Sequence, residues 1–270
     1  MSATCSAAIL ARNEASNLPW ALRSAAWCDE LVVLDMDSED ATADLARAAG
    51  ARVMRTARLR EFDQARRELL EACRTDWVLL LDADEMVPTA LAATLQRLVR
   101  ENGADVVEVP FCNYLGTWRI RSCGWWPDYH PRLFRRTAAA VTGHVHDYLT
   151  FPPEARRVRL PADPALAIHH FSYRDVSHFA AKMAEYTYLE SARWREAGRR
   201  PSALRALAAP VREFLRRYVG LGGVREGWRG FSLALLLALY RALLEVQTGE
   251  RWGLLGSEGD IERLRADLSQ

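Results

Sequence analysis

Four consecutive residues, Asp82-Ala83-Asp84-Glu85, follow the apolar run Trp77-Val78-Leu79-Leu80-Leu81. Two carboxylates one residue apart at a strand end point toward the same side. Such oxygens suit a hard divalent cation, and Mg²⁺ or Mn²⁺ also takes oxygens from a bound diphosphate. A cation held there can neutralise the charge that develops on a departing nucleotide diphosphate. The same residues can also be read as a solvated acidic turn before a helix that starts near Pro88. Their position after the strongest strand signal of the chain favours the cation site.

A second constellation follows another apolar run, Leu31-Val32-Val33-Leu34. It is Asp35-Met36-Asp37-Ser38-Glu39-Asp40-Ala41-Thr42. A carboxylate at a strand end can accept hydrogen bonds from a base N–H or from ribose hydroxyls, so Asp35 is the recognition candidate. Ser38 or Asp40 can instead cap the following helix, and we expect Asp40 to do so.

Both constellations need strands to place them, and the first half of the chain alternates strand and helix patterns. Short apolar runs at 7–11, 31–34, 52–54, 77–81 and 106–109 alternate with helical spacing at 18–27, 41–49, 64–73 and 88–100. This alternation predicts a parallel sheet covered by helices on both faces. Open sheets of that kind bind ligands at the carboxyl ends of their strands. Arg12-Asn13-Glu14, Asp35 to Asp40 and Asp82 to Glu85 all fall there. From Phe111 to Ile168 the texture is irregular, with Trp118, Trp125, Trp126, Tyr129 and Tyr148 among Gly, Pro and His. This stretch is expected to form loops and short strands that wall a second substrate. From Asp175 onward the pattern is helical.

In these stretches and their order, the chain resembles family-2 glycosyltransferases of the GT-A fold, and within them the branch that builds the lipopolysaccharide inner core. The matching residues are Ile9 to Glu14, Asp35 to Thr42, Phe62 to Arg67, Leu81 to Val87, Pro131 to Arg135, Val145-His146-Asp147, and His170 with Lys182 and Tyr186. The resemblance implies an α/β Rossmann-like mixed sheet flanked by helices, with a helical C-terminal extension. It implies a GT-A domain over 1–170, with the donor site in 1–110 and the acceptor region in 111–170, and an extension over 171–270. Ala11, Arg12 and Glu14 would line the nucleotide pocket, and Asp35 would hold the uridine. Arg66 would approach the base or diphosphate. Asp82, Ala83 and Asp84 would form the donor site, with Asp84 and His170 on the metal. Asp147 would be the general base.

The chain departs from the family where Ser-Gly-Ser-Thr-Asp-Gly-Thr is usual after the first acidic residue. Asp37 and Ala41 replace the two glycines. Arg67 stands where Asn is usual, and Asp147 where Glu is commoner.

Asp147 also makes chemical sense by itself. Inverting transfer needs a base on the acceptor hydroxyl, opposite the leaving diphosphate. A carboxylate beside His144 and His146, in an aromatic-walled region that includes Trp126, can serve; an ordinary loop acid is the other reading. Adjacent histidines on an extended segment point opposite ways, so only one of His169 and His170 should face the site. A hydrogen-bonded structural histidine remains the alternative. Lys182 and Tyr186, four apart on a helix, share a face that could meet a diphosphate or an anionic acceptor, or only solvent.

The expected activity is transfer of a hexose, from UDP-glucose or a similar donor, to a hydroxyl of a glycolipid acceptor. Three other functions fit parts of the pattern. A polyprenyl-phosphate acceptor is already ionised and would need no base. A sugar nucleotidyltransferase would need a Gly-rich basic loop after the first strand, and Ala11 to Ala15 contains no glycine. A catalytically inactive nucleotide-sugar-binding module is the third.

Composition limits the partners and the compartment. The net charge of +1 over 270 residues argues against a nucleic-acid partner. Five cysteines with no CxxC pair argue against a zinc or disulfide framework and fit a reducing cytoplasm. The first ten residues read as a strand rather than a signal peptide. Arg212, Arg216, Arg217, Arg225 and Arg229 accompany Trp228 and the apolar run from Phe231. They suggest peripheral contact with an anionic leaflet at the inner face of the cytoplasmic membrane. The run Phe231–Tyr240 is itself too short to span, since about 20 residues are needed.

Overall fold

The computed structural model of the protein describes residues 3–56, 62–141, 149–256 and 258–269. Its strands are β1 (Cys5–Ala11), β2 (Glu30–Asp35), β3 (Arg52–Arg55), β4 (Trp77–Asp82), β5 (Glu85–Met86), β6 (Val106–Leu115), β7 (Trp118–Arg119), β8 (Asp128–Arg135), β9 (Ala140–Val141), β10 (Leu149–Thr150), β11 (Arg157–Arg159) and β12 (Ile168–Tyr173). Its α-helices are α1 (Leu18–Ser24), α2 (Thr42–Ala48), α3 (Phe62–Ala72), α4 (Thr89–Glu101), α5 (Val176–Glu196), α6 (Ala203–Leu215), α7 (Gly227–Arg251) and α8 (Glu258–Leu268). The chain divides into two units, one of Met1–Tyr114 with Trp126–Ser172, the other of Leu115–Trp125 with Tyr173–Gln270.

The first unit is built on a sheet of order β3-β2-β1-β4-β8-β6-β12-β5, with β11 added beside β6. Strands β3, β2, β1 and β4 run parallel. Beyond β4 the sheet turns antiparallel, through β8 and then β6. The parallel arrangement expected from the alternation thus holds for β3, β2, β1 and β4, and the sheet as a whole is mixed, as the resemblance implies. The cause is β8: the segment predicted to be loops and short strands instead supplies an eight-residue strand inside the sheet. Its flanking Asp128, Tyr129, His130 and Pro131 hide the alternation, and only Arg132, Leu133 and Phe134 are buried.

Successive residues of β1 and β4 enter opposite cores, as a period of two requires. Ala7, Ile9, Leu79 and Leu81 pack with Leu18 and Leu22 of α1 and with Leu91 and Leu95 of α4. Ala8, Leu10, Val78 and Leu80 pack with Ala65 and Leu69 of α3. Each fully buried Leu stabilises the fold by roughly 1.5–3 kcal/mol, so β4 is fixed from both faces.

The second unit is helical. Its core joins Ile120 and Cys123 to Phe179 of α5 and Leu233 of α7, and this grouping is why residues 115–125 belong with the C-terminal helices. Helices α5 and α6 both pack on α7. Gly230 lies so close to Gly223 that an added Cβ would overlap the Gly223 carbonyl. The apolar run that is too short to span becomes part of a longer helical stretch. Gly223–Arg251 is, by length and composition, long and apolar enough to cross a membrane, and 33% of its apolar window is buried within the protein.

Candidate active site

Register brings the two acidic constellations together. Ala11 lies beside Asp35 in the β1–β2 pair, and Leu10 lies beside Asp82 in the β1–β4 pair. The carboxyl ends of three parallel strands therefore meet where the chain changes direction across the sheet, the usual ligand crevice of such sheets.

On the β1–β2 side, two loops are tied to each other. Asn13 N–H donates to Ser38 Oγ (2.9 Å), Glu39 N–H to Asn13 Oδ1 (2.8 Å), and Glu14 N–H to Thr42 Oγ1 (2.8 Å). Asp37 adopts φ +58°, at one of the two positions where the family usually has glycine. Aspartate tolerates this left-handed backbone better than most side chains, so the loop survives the replacement. Ala41 has an ordinary φ of −73°, so the other glycine is not required. Asp40 accepts from the N–H groups of Thr42 and Ala15, the structural role expected of it. Asp35 is fully buried and accepts from Ser38 N–H (3.2 Å) and Arg55 Nε (3.0 Å). Glu14 accepts from Asn17 Nδ2 (2.7 Å) ahead of α1. Arg12 keeps its Nε buried with no hydrogen-bond partner among the described residues.

At the end of β4, Asp82 sits between two guanidinium groups. Arg66 on α3 lies 3.5 Å from its Oδ1, and Arg132 on β8 lies 3.3 Å from its Oδ2. Arg132 also donates to Glu85 Oε1 at 2.7 Å, and Glu85 Oε2 accepts from Asp82 N–H at 2.9 Å. Burial opposes the charge on Asp82, but Arg132, Arg66 and His170 outweigh it and hold the carboxyl well below the usual range. Glu85 goes the other way. Its complete burial, aided by the neighbouring Asp82 charge, pushes it up to about 8 against the pull of Arg132.

Strand β12 runs antiparallel to β5 and sets His170 opposite Glu85. His170 Nε2 lies 3.5 Å from Asp84 Oδ1, and its Nδ1 meets Asn113 Oδ1 at 2.9 Å. Burial works against protonating this ring, but the hydrogen bond and charge of Asp84 prevail and raise its pKa. His169 points the other way, to the Tyr114 hydroxyl and the Pro164 carbonyl. Two adjacent ligands of an octahedral cation sit about 3 Å apart, so Asp84 and His170 fit as one edge of a metal site. Among the described residues no cluster of three or more His, Cys, Asp or Glu could hold a metal by itself. Further oxygens would come from the ligand or water.

Beside Asp84 opens a cavity of about 360 Å³ lined by Asn17, Trp20, Ala83, Glu85, Met86 and Phe171. Trp20 carries the Arg23 guanidinium 4.0 Å over its ring, and Phe171 stacks on Tyr114 at 5.0 Å. Exposed aromatic faces in a cavity suit the C–H face of a sugar ring. Glu85 belongs to the acidic run read from sequence, whereas Arg132, Trp20 and Phe171 have no individual role in that reading. Arg132 lies within the motif Pro131–Arg135, which was its available signal. Trp126 is half-buried, before a cis bond to Pro127. Asp147 and His146 lie outside the described residues. Lys182 and Tyr186 lie on α5 of the second unit, where Lys182 Nζ is 5.5 Å from the Tyr173 ring centre.

A family model described as glycosyl transferase family 2 matches residues 6–155, more than half of the chain. The chain belongs to this family. It is a glycosyltransferase with a GT-A fold, and the parallel-to-antiparallel sheet above is that fold's frame. The lipopolysaccharide core biosynthesis glycosyltransferase LpsC of Rhizobium meliloti is 27% identical over 92% of this chain and 93% of its own length. An uncharacterized glycosyltransferase of Rickettsia bellii is 24% identical over 88% and 83%. A TPR repeat-containing protein of Synechococcus elongatus is 31% identical, but this chain spans only 43% of it. Among solved structures, glucosyl-3-phosphoglycerate synthase of Mycobacterium tuberculosis with Mn²⁺, UDP and glucosyl-3-phosphoglycerate is 26% identical over 40% of this chain and 44% of its own, with a TM-score of 0.36.

Proposed function

We propose that this glycosyltransferase moves a hexose, with inversion, from a UDP-sugar to a hydroxyl of a lipopolysaccharide-core glycolipid, in the cytoplasm at the inner face of the membrane. The observation that carries the donor half is the cluster of Asp82, Asp84, His170, Arg66 and Arg132 at the carboxyl end of β4. Similarity to LpsC over nearly the whole of both chains supports the acceptor half.

Asp84 and His170 are the residues that would hold Mg²⁺ or Mn²⁺, which when bound supplies positive charge to the leaving diphosphate. Asp82, held ionised by its two arginines, would anchor the donor. Arg66 would then approach the diphosphate, and the buried Arg12 Nε offers a donor to the nucleotide. Asp35 would read the uracil or ribose. A sugar ring fits the cavity between Trp20 and Phe171. Asp147 would take the proton from the acceptor hydroxyl as its oxygen bonds to the anomeric carbon and the bond to the diphosphate breaks.

The test is a thermal-shift and UDP-release assay across nucleotide-sugars, with and without Mn²⁺. A ligand that binds only the folded state raises the melting temperature by mass action. We expect UDP-hexoses with Mn²⁺ to give the largest shift and measurable UDP release. No shift and no release with any UDP-sugar would defeat the donor assignment. Full transfer by Asp147→Asn would remove the hydroxyl acceptor in favour of one already ionised.

A further inference from the structure

The apolar run beginning at Phe231 draws attention in the sequence, yet in the structure Leu233 and Ala234 are fully buried and α7 packs against α5 and α6. The α7 run leaves Leu235 and Leu239 partly exposed, but a more exposed apolar face lies on α6. Leu204, Leu207, Val211 and Leu215 of α6, and Val219 in the π-helical turn after it, are between 52% and 75% exposed. Their spacing of three or four residues puts them on one helical face. The groove along that face is lined by Leu204, Leu207, Ala208, Val211 and Leu215, with Arg212 and Arg216 at its edge. The opposite side of α6 faces inward: Glu213 is buried, and Arg205 reaches the buried Glu245 of α7.

Charge indicates what covers this face. Residues 199–229 contain eight arginines and only two glutamates. Glu213 is taken by Arg216 and Arg217, and Glu226 by Trp118 Nε1 and the Arg121 N–H. No ion pair of Arg212, Arg225 or Arg229 is found among the described residues. Arg225 and Arg229 share a cavity of the same unit with Arg119 and Arg121. Trp228, between them in sequence, is 78% exposed. An apolar stripe edged by arginines, with an exposed tryptophan nearby, is the composition of a helix that lies in a bilayer interface. A second copy of the chain is a poorer occupant, because a symmetric contact along α6 would set one row of Arg212 and Arg216 near another.

We propose that α6 is a membrane-docking helix for anionic lipid. Leu204, Leu207, Val211, Leu215 and Val219 enter the acyl region, and Arg212, Arg225 and Arg229 meet lipid phosphates. This deepens the membrane placement of the proposed function and does not depend on the identity of the donor.

The test is co-sedimentation of the full chain with vesicles of phosphatidylcholine alone or mixed with phosphatidylglycerol. Binding should be strong on the mixed vesicles, weak on the neutral ones, and should fall with salt. The double variant Leu207→Glu/Val211→Glu should lose about tenfold or more in affinity, because charged side chains do not enter the acyl region. Arg212→Ser/Arg229→Ser should lose affinity on the mixed vesicles only. Both variants change exposed side chains, so their melting temperatures and their UDP-sugar shifts should match the parent, which separates a failure of docking from a failure of the donor reading. Equal binding by Leu207→Glu/Val211→Glu and the parent overturns the proposal. So does a parent dimer that this variant splits without any change in vesicle binding.

Discussion

Two of the buried glutamates, Glu85 in the first unit and Glu213 in the second, answer differently to arginine. Glu85 in the first unit is fully buried, and its one arginine, Arg132, is shared with the ionised Asp82. Glu213 in the second unit has two arginines to itself, Arg216 and Arg217. Burial opposes the charge of both. It prevails at Glu85, which is pushed up to about 8, and gives way at Glu213, where hydrogen bonds from Arg216 and then Arg217 bring the carboxyl down to about 2. The two differ in burial and in the positive charge left for them: complete burial outweighs a shared arginine at Glu85, and two arginines outweigh the shallower burial of Glu213. In the first unit that charge is committed to Asp82, the residue assigned to the donor. In the second it stabilises a helix whose outer face is apolar.

The largest expected effect tests the committed side of this contrast. Asp84→Asn removes the carboxylate of the Asp84–His170 pair and, under the proposed function, the cation's hold on the diphosphate. UDP release should fall by about a thousandfold, the scale for losing a main electrostatic contact of a transition state. The Mn²⁺-dependent part of the thermal shift should vanish with it. A variant that keeps its Mn²⁺ dependence would move the metal elsewhere. Next in size is Arg132→Leu, which strips the shared guanidinium from Asp82 and Glu85. Asp82 keeps Arg66 and Glu85 is mostly protonated, so the cost is that of losing hydrogen bonds to a charged group, about 1.5–3 kcal/mol, to be read from urea unfolding of the metal-free protein. A cost under 1 kcal/mol would mean that Arg132 does not hold this cluster together.

The two units were also unequally legible from sequence. Strands β1, β2 and β4 read clearly because both their faces are buried, which leaves near-continuous apolar runs, those of β2 and β4 ending in Asp35 and Asp82. Asp37 was flagged as a departure from the family, and the structure resolves it as a left-handed residue that aspartate tolerates. Strand β8 was missed because Asp128 to Pro131 gives it polar residues and a proline at its start, although it sits next to β4. With β8 went the position of Arg132 beside Asp82 and Glu85, so the separate roles of Asp82 and Asp84 rested on the resemblance alone. In the second unit, the α6 stripe has the same period whether it faces a protein core or a bilayer. Only the fold shows that α7 packs on the other side and leaves Leu207 and Val211 outside.

The smaller effects separate the glutamates themselves. Glu213→Gln removes a carboxyl whose pKa is depressed in the folded state. Its contribution is therefore present above the unfolded value of about 4.5 and is lost as the pH falls toward 2. Because both arginines are partly in solvent, the contribution is about 1 kcal/mol after screening. The variant should melt below the parent at pH 6, and the gap should close by pH 2. A gap that persists at pH 2 would assign the loss to packing.

Glu85→Gln has the opposite pH dependence. With its folded pKa raised, Glu85 is mostly protonated at pH 7, and glutamine matches that neutral form in charge and shape but offers one acceptor where both Glu85 oxygens accept. Its stabilising contribution is full below the unfolded value, about 4.5, and is lost as the pH climbs through about 8. The substitution should cost about 1–3 kcal/mol at pH 6, because the amide nitrogen leaves one of the two buried donors unpaired. Above pH 8 the gap should narrow, because the variant has no proton to lose into a buried site beside Asp82. The measurement must be made with chelator, since a cation at Asp84 would favour the ionised glutamate and mask the effect. A gap that does not narrow above pH 8 would mean that Arg132 supplies enough charge for both acids. The first unit would then resemble the second, and the contrast between the two glutamates would collapse.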